Sequence, residues 1–130
     1  MDFKQLHEIA LATLNPRKLA RKSEAGHVAA ALLTDKGNVY KGVCLDTVCA
    51  LGYCAEYAAI SAMITAGEHK IAKLIAVDED GSILAPCGKC RELISQIHPD
   101  NGKCEVMLQD EIVTLNDLLP QRWDLRKEGK

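Results

Sequence analysis

Two short segments carry the side chains best suited to chemistry. "CAE" places Cys54 and Glu56 around a single alanine, and "PCGKC" places Cys87 and Cys90 in a Cys-x-x-Cys pair. Both segments sit where the surrounding pattern predicts a helix to begin. A Cys-x-x-Cys pair at a helix start can aim two sulfurs at one metal, and the helix N-terminus lowers a thiol pKa toward the thiolate that a metal requires. Alone, this pair could equally be a redox couple, half of a structural zinc site, or two core thiols. The strand–Cys-x-x-Cys–helix unit in the N-terminal half that would favour a thioredoxin-like reading is not there. Adding Cys54 gives three soft ligands, and three protein ligands with an open position are what separate catalytic from closed structural zinc. Glu56 tips the reading toward catalysis. A carboxylate two positions from a ligand can take a proton from metal-bound water and pass it on, and a structural site has no use for it.

The elements that must position these groups can be read from periodicity. Phe3, Leu6, Ile9, Ala10 and Leu14 recur at helical spacing, with Asn15-Pro16 as the expected stop. The basic stretch "RKLARK" reads as a solvated loop in preference to an anion site. His27 to Thr34 and Val39 to Asp46 read as strands, and "DKGN" between them as the turn of a hairpin. "CAEYAAISAMITAG" predicts a helix from near Cys54, with Gly67 at its C-terminal cap. "KLIAVD" is a nearly continuous apolar run suited to a central strand buried on both faces. A second helix is expected from "PCGKCRELISQIH", with Pro86 in its first turn. "CEVML" reads as a further strand, and "TLNDLLP" as a short helix in which Thr114 and Asp117 form a capping-box pair. A strand, a crossover helix and another strand imply a parallel pair after an antiparallel start.

Composition limits the function classes. The chain has 130 residues, 16 Lys+Arg against 18 Asp+Glu, 48% apolar residues and 4% aromatics. That length and apolar content suit one domain, 1–130, with a core that needs no disulfides. A net charge of −2 offers no field to draw in a polyanion, and so few aromatics disfavour base stacking; no nucleic-acid partner is expected. The longest apolar runs, such as "VAAALL", are far short of the roughly 20 residues of a membrane span. "DFKQLHEIALATLNPRK" after Met1 is an amphipathic start unlike a signal peptide. Six cysteines in that setting point to a reducing compartment, so a cytoplasmic location is expected.

"CAE" followed later by "PCGKC" resembles the signature of the cytidine deaminase superfamily, the zinc deaminase pattern. "GHVAAALLTDKGNVYKGV" is similar to the paired strands upstream of the zinc, and "LNDLLPQRW" to the closing helix and aromatic tail, so the resemblance runs from about Val28 to Trp123. Three cysteines and a short chain are similar to the compact tetrameric cytidine deaminases and to blasticidin S deaminases. The resemblance implies an α/β fold, a three-layer α-β-α sandwich around a mixed five-stranded sheet. It implies hydrolytic deamination, with one Zn2+ per subunit on Cys54, Cys87 and Cys90, and Glu56 as the proton carrier. It further implies that the Ala55 N–H meets the pyrimidine carbonyl and that the Ala85 carbonyl accepts from the amine. Trp123 would cover the substrate, often in a neighbouring subunit's site, and a homotetramer is the expected assembly.

The chain also departs from that pattern. Three thiolates leave a net −1 at zinc, which many cytidine deaminases offset with an Arg after Cys-Ala-Glu; here that position is Tyr57. Lys89 or Arg91, with the two helix dipoles, is the expected substitute. Where relatives carry Asn-x-Glu for the sugar, "GVCLDTV" puts Cys44 and Asp46, and the aromatic before the first strand is replaced by Gly26 and His27. The four histidines are isolated in sequence and read as surface or core residues, His27 alone lying where it could touch a ligand. Cys44, Cys49 and Cys104 read as small apolar fillers, with Cys49 a second candidate to line the pocket. The leading expectation is deamination of a free cytosine-type nucleoside, the alternative a modified cytosine nucleoside as in blasticidin S detoxification. From another class comes a non-catalytic structural-zinc scaffold, with Cys44 or Cys49 closing the shell.

Overall fold

A computed structural model of the chain describes residues 1–125. Its elements are α1 (Phe3–Thr13), β1 (Arg17–Lys18), β2 (Glu24–Thr34), β3 (Val39–Asp46), α2 (Ala55–Thr65), β4 (Ile71–Asp78), β5 (Ile83–Leu84), α3 (Gly88–Ile97), a 3-10 turn (Pro99–Lys103), β6 (Glu105–Met107), β7 (Ile112–Thr114) and α4 (Leu115–Leu118). β2 and β3 form the expected hairpin, β4 pairs with β2 antiparallel, and β4 pairs with β6 in parallel across α3. Among the described residues the sheet has seven strands, in the order β1-β2-β4-β6-β7 with β3 on β2 and β5 on β4, and not the five expected. The pattern along the chain marks four of them, and the other three, β1 and β5, of 2 residues each, and β7, of 3, are too short to show alternation in sequence. Arg17 and Lys18, expected in a loop, are exposed residues of β1.

The sheet is a middle layer because its two long central strands are apolar on both faces. Ala29, Ala31, Leu33, Ile75 and Val77 pack against Phe3, Leu6 and Ala10 of α1. On the other face Ala30, Leu32, Leu74 and Ala76 meet Ala55, Ala59, Ile60 and Met63 of α2 and Ile94 of α3. Small residues set the spacing: a Cβ at Gly42 of β3 would lie 2.5 Å from the Ala58 Cβ and 2.6 Å from the Ala59 nitrogen. Leu32 and Leu74 are almost wholly buried, and truncating either to alanine is expected to cost about 2–5 kcal/mol.

The helices end and begin where the site needs them. α2 stops in a Schellman motif at Gly67 (φ +93): the Gly67 N–H donates to the Ile64 carbonyl, and the Glu68 N–H to the Met63 carbonyl. Asn101, fully buried, accepts from the Ile71 N–H at 2.9 Å and donates to the His69 and Ile94 carbonyls, both at 3.1 Å. It thereby fixes the end of α3 to the start of β4. α3 begins at Gly88 with Cys87 as N-cap, so Pro86 precedes the helix instead of occupying its first turn. α4 carries the expected Thr114–Asp117 capping box. Among the described residues no helix is long and apolar enough to cross a membrane.

Candidate metal centre and substrate cavity

Cys54 is the N-cap of α2 and Cys87 the N-cap of α3, and neither side chain makes a capping hydrogen bond. An N-cap is ordinarily given to Ser, Thr, Asp or Asn, whose oxygen contributes about 1 kcal/mol of helix stability. Here both positions are given to sulfur, and the two sulfurs meet 3.5 Å apart. Cys90, one turn into α3 and fully buried, brings a third sulfur, and the three lie within 4.8 Å of one another. Zn–S bonds of about 2.3 Å in a tetrahedron put sulfurs about 3.8 Å apart, so the donor set and its spacing fit zinc. The N-termini of α2 and α3 both face the group, and their dipoles would partly offset the charge of three thiolates once a metal holds them.

Burial sets the electrostatics. It raises Cys54, as does the neighbouring Cys87 thiol, and it raises Cys90 further, with the Glu56 carboxylate adding to the effect. At Cys87 burial works in the same direction but is outweighed by the Cys90 backbone N–H and the two neighbouring thiols, so its pKa falls below the ordinary value. Glu56, in the first turn of α2 and only 5% exposed, has its carboxyl pKa raised by burial. A buried carboxyl with a raised pKa beside a metal-ligand set can both accept and return a proton.

These groups stand at one side of a cavity of about 460 Å³. Ala55, Ala85, Cys44, Asp46 and Lys89 line it together with Cys54, Cys87 and Glu56, so most of the sequence-derived site residues converge here. Lys89 holds its ammonium 5.2 Å from the centre of the Tyr57 ring. Arg91 does not line the cavity: its guanidinium donates to the carbonyls of Pro86 at 2.8 Å and Leu118 at 3.0 Å. Trp123 does not line the cavity of its own chain either; it is 65% exposed, and its indole N–H donates to Glu92 at 3.1 Å. Cys104 is buried in the core as expected, and Cys49 is exposed and outside the cavity wall.

His27 is the residue that reading along the chain undervalues. It lines the cavity, and its Nε2 lies 2.8 Å from Asp46 Oδ2. Gly26 (φ +85) and a register shift between Ala25 and Ala29 break the alternation of β2 and bring His27 opposite the end of β3. Beyond Asp46 the loop folds back through a Leu45–Tyr53 bridge, and a side chain at Gly52 would collide with the Leu45 carbonyl. That fold-back adds Thr47, Ala50 and Tyr53 to the wall, none of which the sequence marked.

A mixed sheet with a crossover helix, whose helix starts bring three sulfurs and a buried carboxyl to one cavity, defines a metal-dependent hydrolase of the deaminase class. Residues 4–105 match the family model for the cytidine and deoxycytidylate deaminase zinc-binding region, and the chain belongs to this family. It is 35% identical over 101 residues to a cytidine deaminase of Mycobacterium tuberculosis (strain ATCC 25618 / H37Rv), covering 75% of this chain and 73% of that one. It is 30% identical over 110 residues to a blasticidin-S deaminase of Bacillus cereus, covering 75% and 76%. The crystal structure of cytidine deaminase from Mycobacterium leprae is similar with a TM-score of 0.80 and 27% identity, over 93% of this chain and 99% of that one.

Proposed function

We propose that the chain, as one domain spanning 1–130, hydrolytically deaminates a free cytosine-type nucleoside with one zinc ion per subunit held by Cys54, Cys87 and Cys90. The observation that carries this reading is the buried Glu56 carboxyl beside three converging sulfurs at the wall of a cavity. Zinc bound there supplies the Lewis acidity that makes water nucleophilic near neutral pH. Glu56 takes the proton that the water gives up and delivers it to the ring nitrogen beside the reacting carbon. Once the water oxygen has bonded to that carbon, Glu56 takes the remaining hydroxyl proton and passes it to the amine, which leaves as ammonia while the carbon keeps the oxygen as a carbonyl. The Ala55 N–H orients the pyrimidine carbonyl, and the Ala85 carbonyl accepts from the amine. Cys44 and Asp46 hold the sugar end. Lys89, on the cavity wall, and Arg91, one residue after Cys90, offset the thiolate charge with the two helix N-termini.

The assembly we propose is a homotetramer working in the cytoplasm, where thiols stay reduced. Exposed Val48, Leu51, Tyr57 and Ile64 supply apolar surface for its contacts, and Trp123 covers a neighbour's cavity. A modified cytosine nucleoside is the second reading, favoured by the sugar end of the cavity: a thiol at Cys44 and an Asp46 engaged by His27 are poor partners for plain ribose hydroxyls.

An ultraviolet deamination assay over cytidine, deoxycytidine, an N4-substituted cytidine and blasticidin S, run beside zinc analysis, tests both readings. Glu56→Gln is expected to retain zinc and to lose about 10²–10⁴-fold in kcat. Turnover unchanged in that variant would remove Glu56 as the proton carrier, and zinc bound with no turnover of any of the four compounds would leave the scaffold reading in its place.

A further inference from the structure

We propose that His27, Cys44 and Asp46 form a second divalent-metal site, of zinc type, at the sugar end of the cavity, and that an ion there excludes the nucleoside. His27 Nε2 lies 2.8 Å from Asp46 Oδ2, and Cys44 Sγ lies 3.7 Å from the same nitrogen and 4.0 Å from the same oxygen. Bonds of about 2.0–2.3 Å from zinc to nitrogen, oxygen and sulfur place tetrahedral ligands about 3.3–3.6 Å apart. Each observed separation is within about half an ångström of that spacing, a shift that side-chain torsions absorb.

The donors are also chemically suited. Cys44 Sγ is nearly equidistant from the two ring nitrogens of His27, at 3.6 and 3.7 Å, so it is in line with neither ring N–H. The sulfur is therefore not committed to a directional hydrogen bond with the imidazole. Loading an ion asks the partly exposed imidazole to turn until Nε2 faces the point shared with Sγ and Oδ2. A thiolate, an imidazole and a carboxylate together suit zinc, cobalt or nickel, whereas calcium and magnesium prefer oxygen donors throughout. Cys44 is buried on β3, while Asp46 has a side chain 58% exposed. The site thus has a fixed inner ligand and an outer one that faces arriving ions.

All three side chains line the cavity that holds Glu56, so the ion and a nucleoside compete for one space. Linkage then requires each to weaken the other by the same factor. The competition rests on the deaminase reading; the metal binding does not.

The test titrates protein already carrying one equivalent of zinc with further Zn2+ or Co2+. A second equivalent is expected, with a sulfur-to-cobalt charge-transfer band that Cys44→Ser abolishes. His27→Gln and Asp46→Asn are each expected to weaken the second equivalent at least tenfold. Because Asp46 is exposed, its variant tests the site even if the Cys44 change disturbs packing. In the wild type, zinc beyond the first equivalent is expected to raise KM for the nucleoside with kcat unchanged. Saturation at one equivalent, or a second equivalent that survives in Cys44→Ser/His27→Gln, overturns the site. An excess-zinc effect on kcat alone overturns the competition. If no nucleoside is turned over, the deaminase reading fails while the titration still decides the metal site.

Discussion

Arg91 donates its Nε–H to the carbonyl of Pro86 at 2.8 Å, immediately before the cysteine that N-caps α3, and Nη1–H to the carbonyl of Leu118 at 3.0 Å. One guanidinium therefore ties the approach to Cys87 to the end of α4. Its planar fork suits two carbonyls at once, which a lysine ammonium on a flexible stem does not reproduce. Arg91→Ala is expected to cost about 1–3 kcal/mol through the lost charged hydrogen bonds. It should also weaken zinc binding, because the segment carrying Cys87 loses its tether and a nearby positive charge. Arg91→Lys should restore much of the zinc affinity if charge dominates and little if the tether does. Denaturant melts and chelator competition on the two variants distinguish these contributions.

The six thiols divide by exposure, and metal removal should change that division. Cys49 and Cys87 are exposed, Cys54 is half-buried, and Cys44, Cys90 and Cys104 are buried. With zinc bound, a thiol reagent is expected to react rapidly with Cys49 alone. Chelation should add Cys87 and Cys54, with Cys90 following only as the protein unfolds. The melting temperature should fall at the same time, since free zinc 100-fold above its Kd stabilises the folded state by about 2.7 kcal/mol. Thiol counting beside thermal melts, with and without chelator, checks both.

Away from the site, Glu68 gives the fold a pH dependence of defined sign. The Tyr40 hydroxyl donates to Glu68 Oε2 at 2.7 Å and the Asn38 amide at 2.9 Å, joining the start of β3 to the segment after α2. The Tyr40 bond, more than any other contact, lowers the Glu68 pKa below its ordinary value of 4.5. A carboxylate with a depressed folded-state pKa contributes stability that is present above the unfolded value and lost as pH falls through the folded one. Wild type is thus expected to melt above Glu68→Gln at neutral pH, with the gap closing as pH drops below 4.5. Tyr40→Phe should show the same convergence. A gap that stays constant across that range would remove Glu68 from the account.

What the sequence made legible, and what it left out, follows from the range over which each signal acts. Cys54, Glu56, Cys87 and Cys90 could be read because each pair sits within a single helix turn, where spacing alone fixes the relative placement. The parallel β4–β6 pair could be read because a crossover helix leaves few alternatives. β1, β5 and β7 could not, being edge pieces without enough residues to show a period. The His27–Asp46 pair was hidden for a different reason. It depends on a register shift in β2 around Gly26, and strand alternation read along the chain carries a side chain to the wrong face once such a shift intervenes. Arg91 shows the same limit: its proximity to Cys90 is visible in the sequence, whereas its bond to the Leu118 carbonyl is not.

Trp123 is the sole tryptophan of the chain, so intrinsic fluorescence reports on the C-terminal segment alone. In one subunit it is 65% exposed and held by its N–H to Glu92, a position from which it does not reach its own cavity. If it covers a neighbour's cavity as proposed, the assembled protein should emit at shorter wavelength than the dissociated chain, because the ring leaves water on assembly. Adding a nucleoside analogue should change the emission of the tetramer and leave that of a monomer unaltered. Trp123→Ala should then raise KM with little effect on kcat, since a cover binds ground state and transition state alike. Sedimentation on the same variant separates loss of the cover from loss of assembly. An active monomer in which Trp123 remains solvated on ligand addition would overturn the cover.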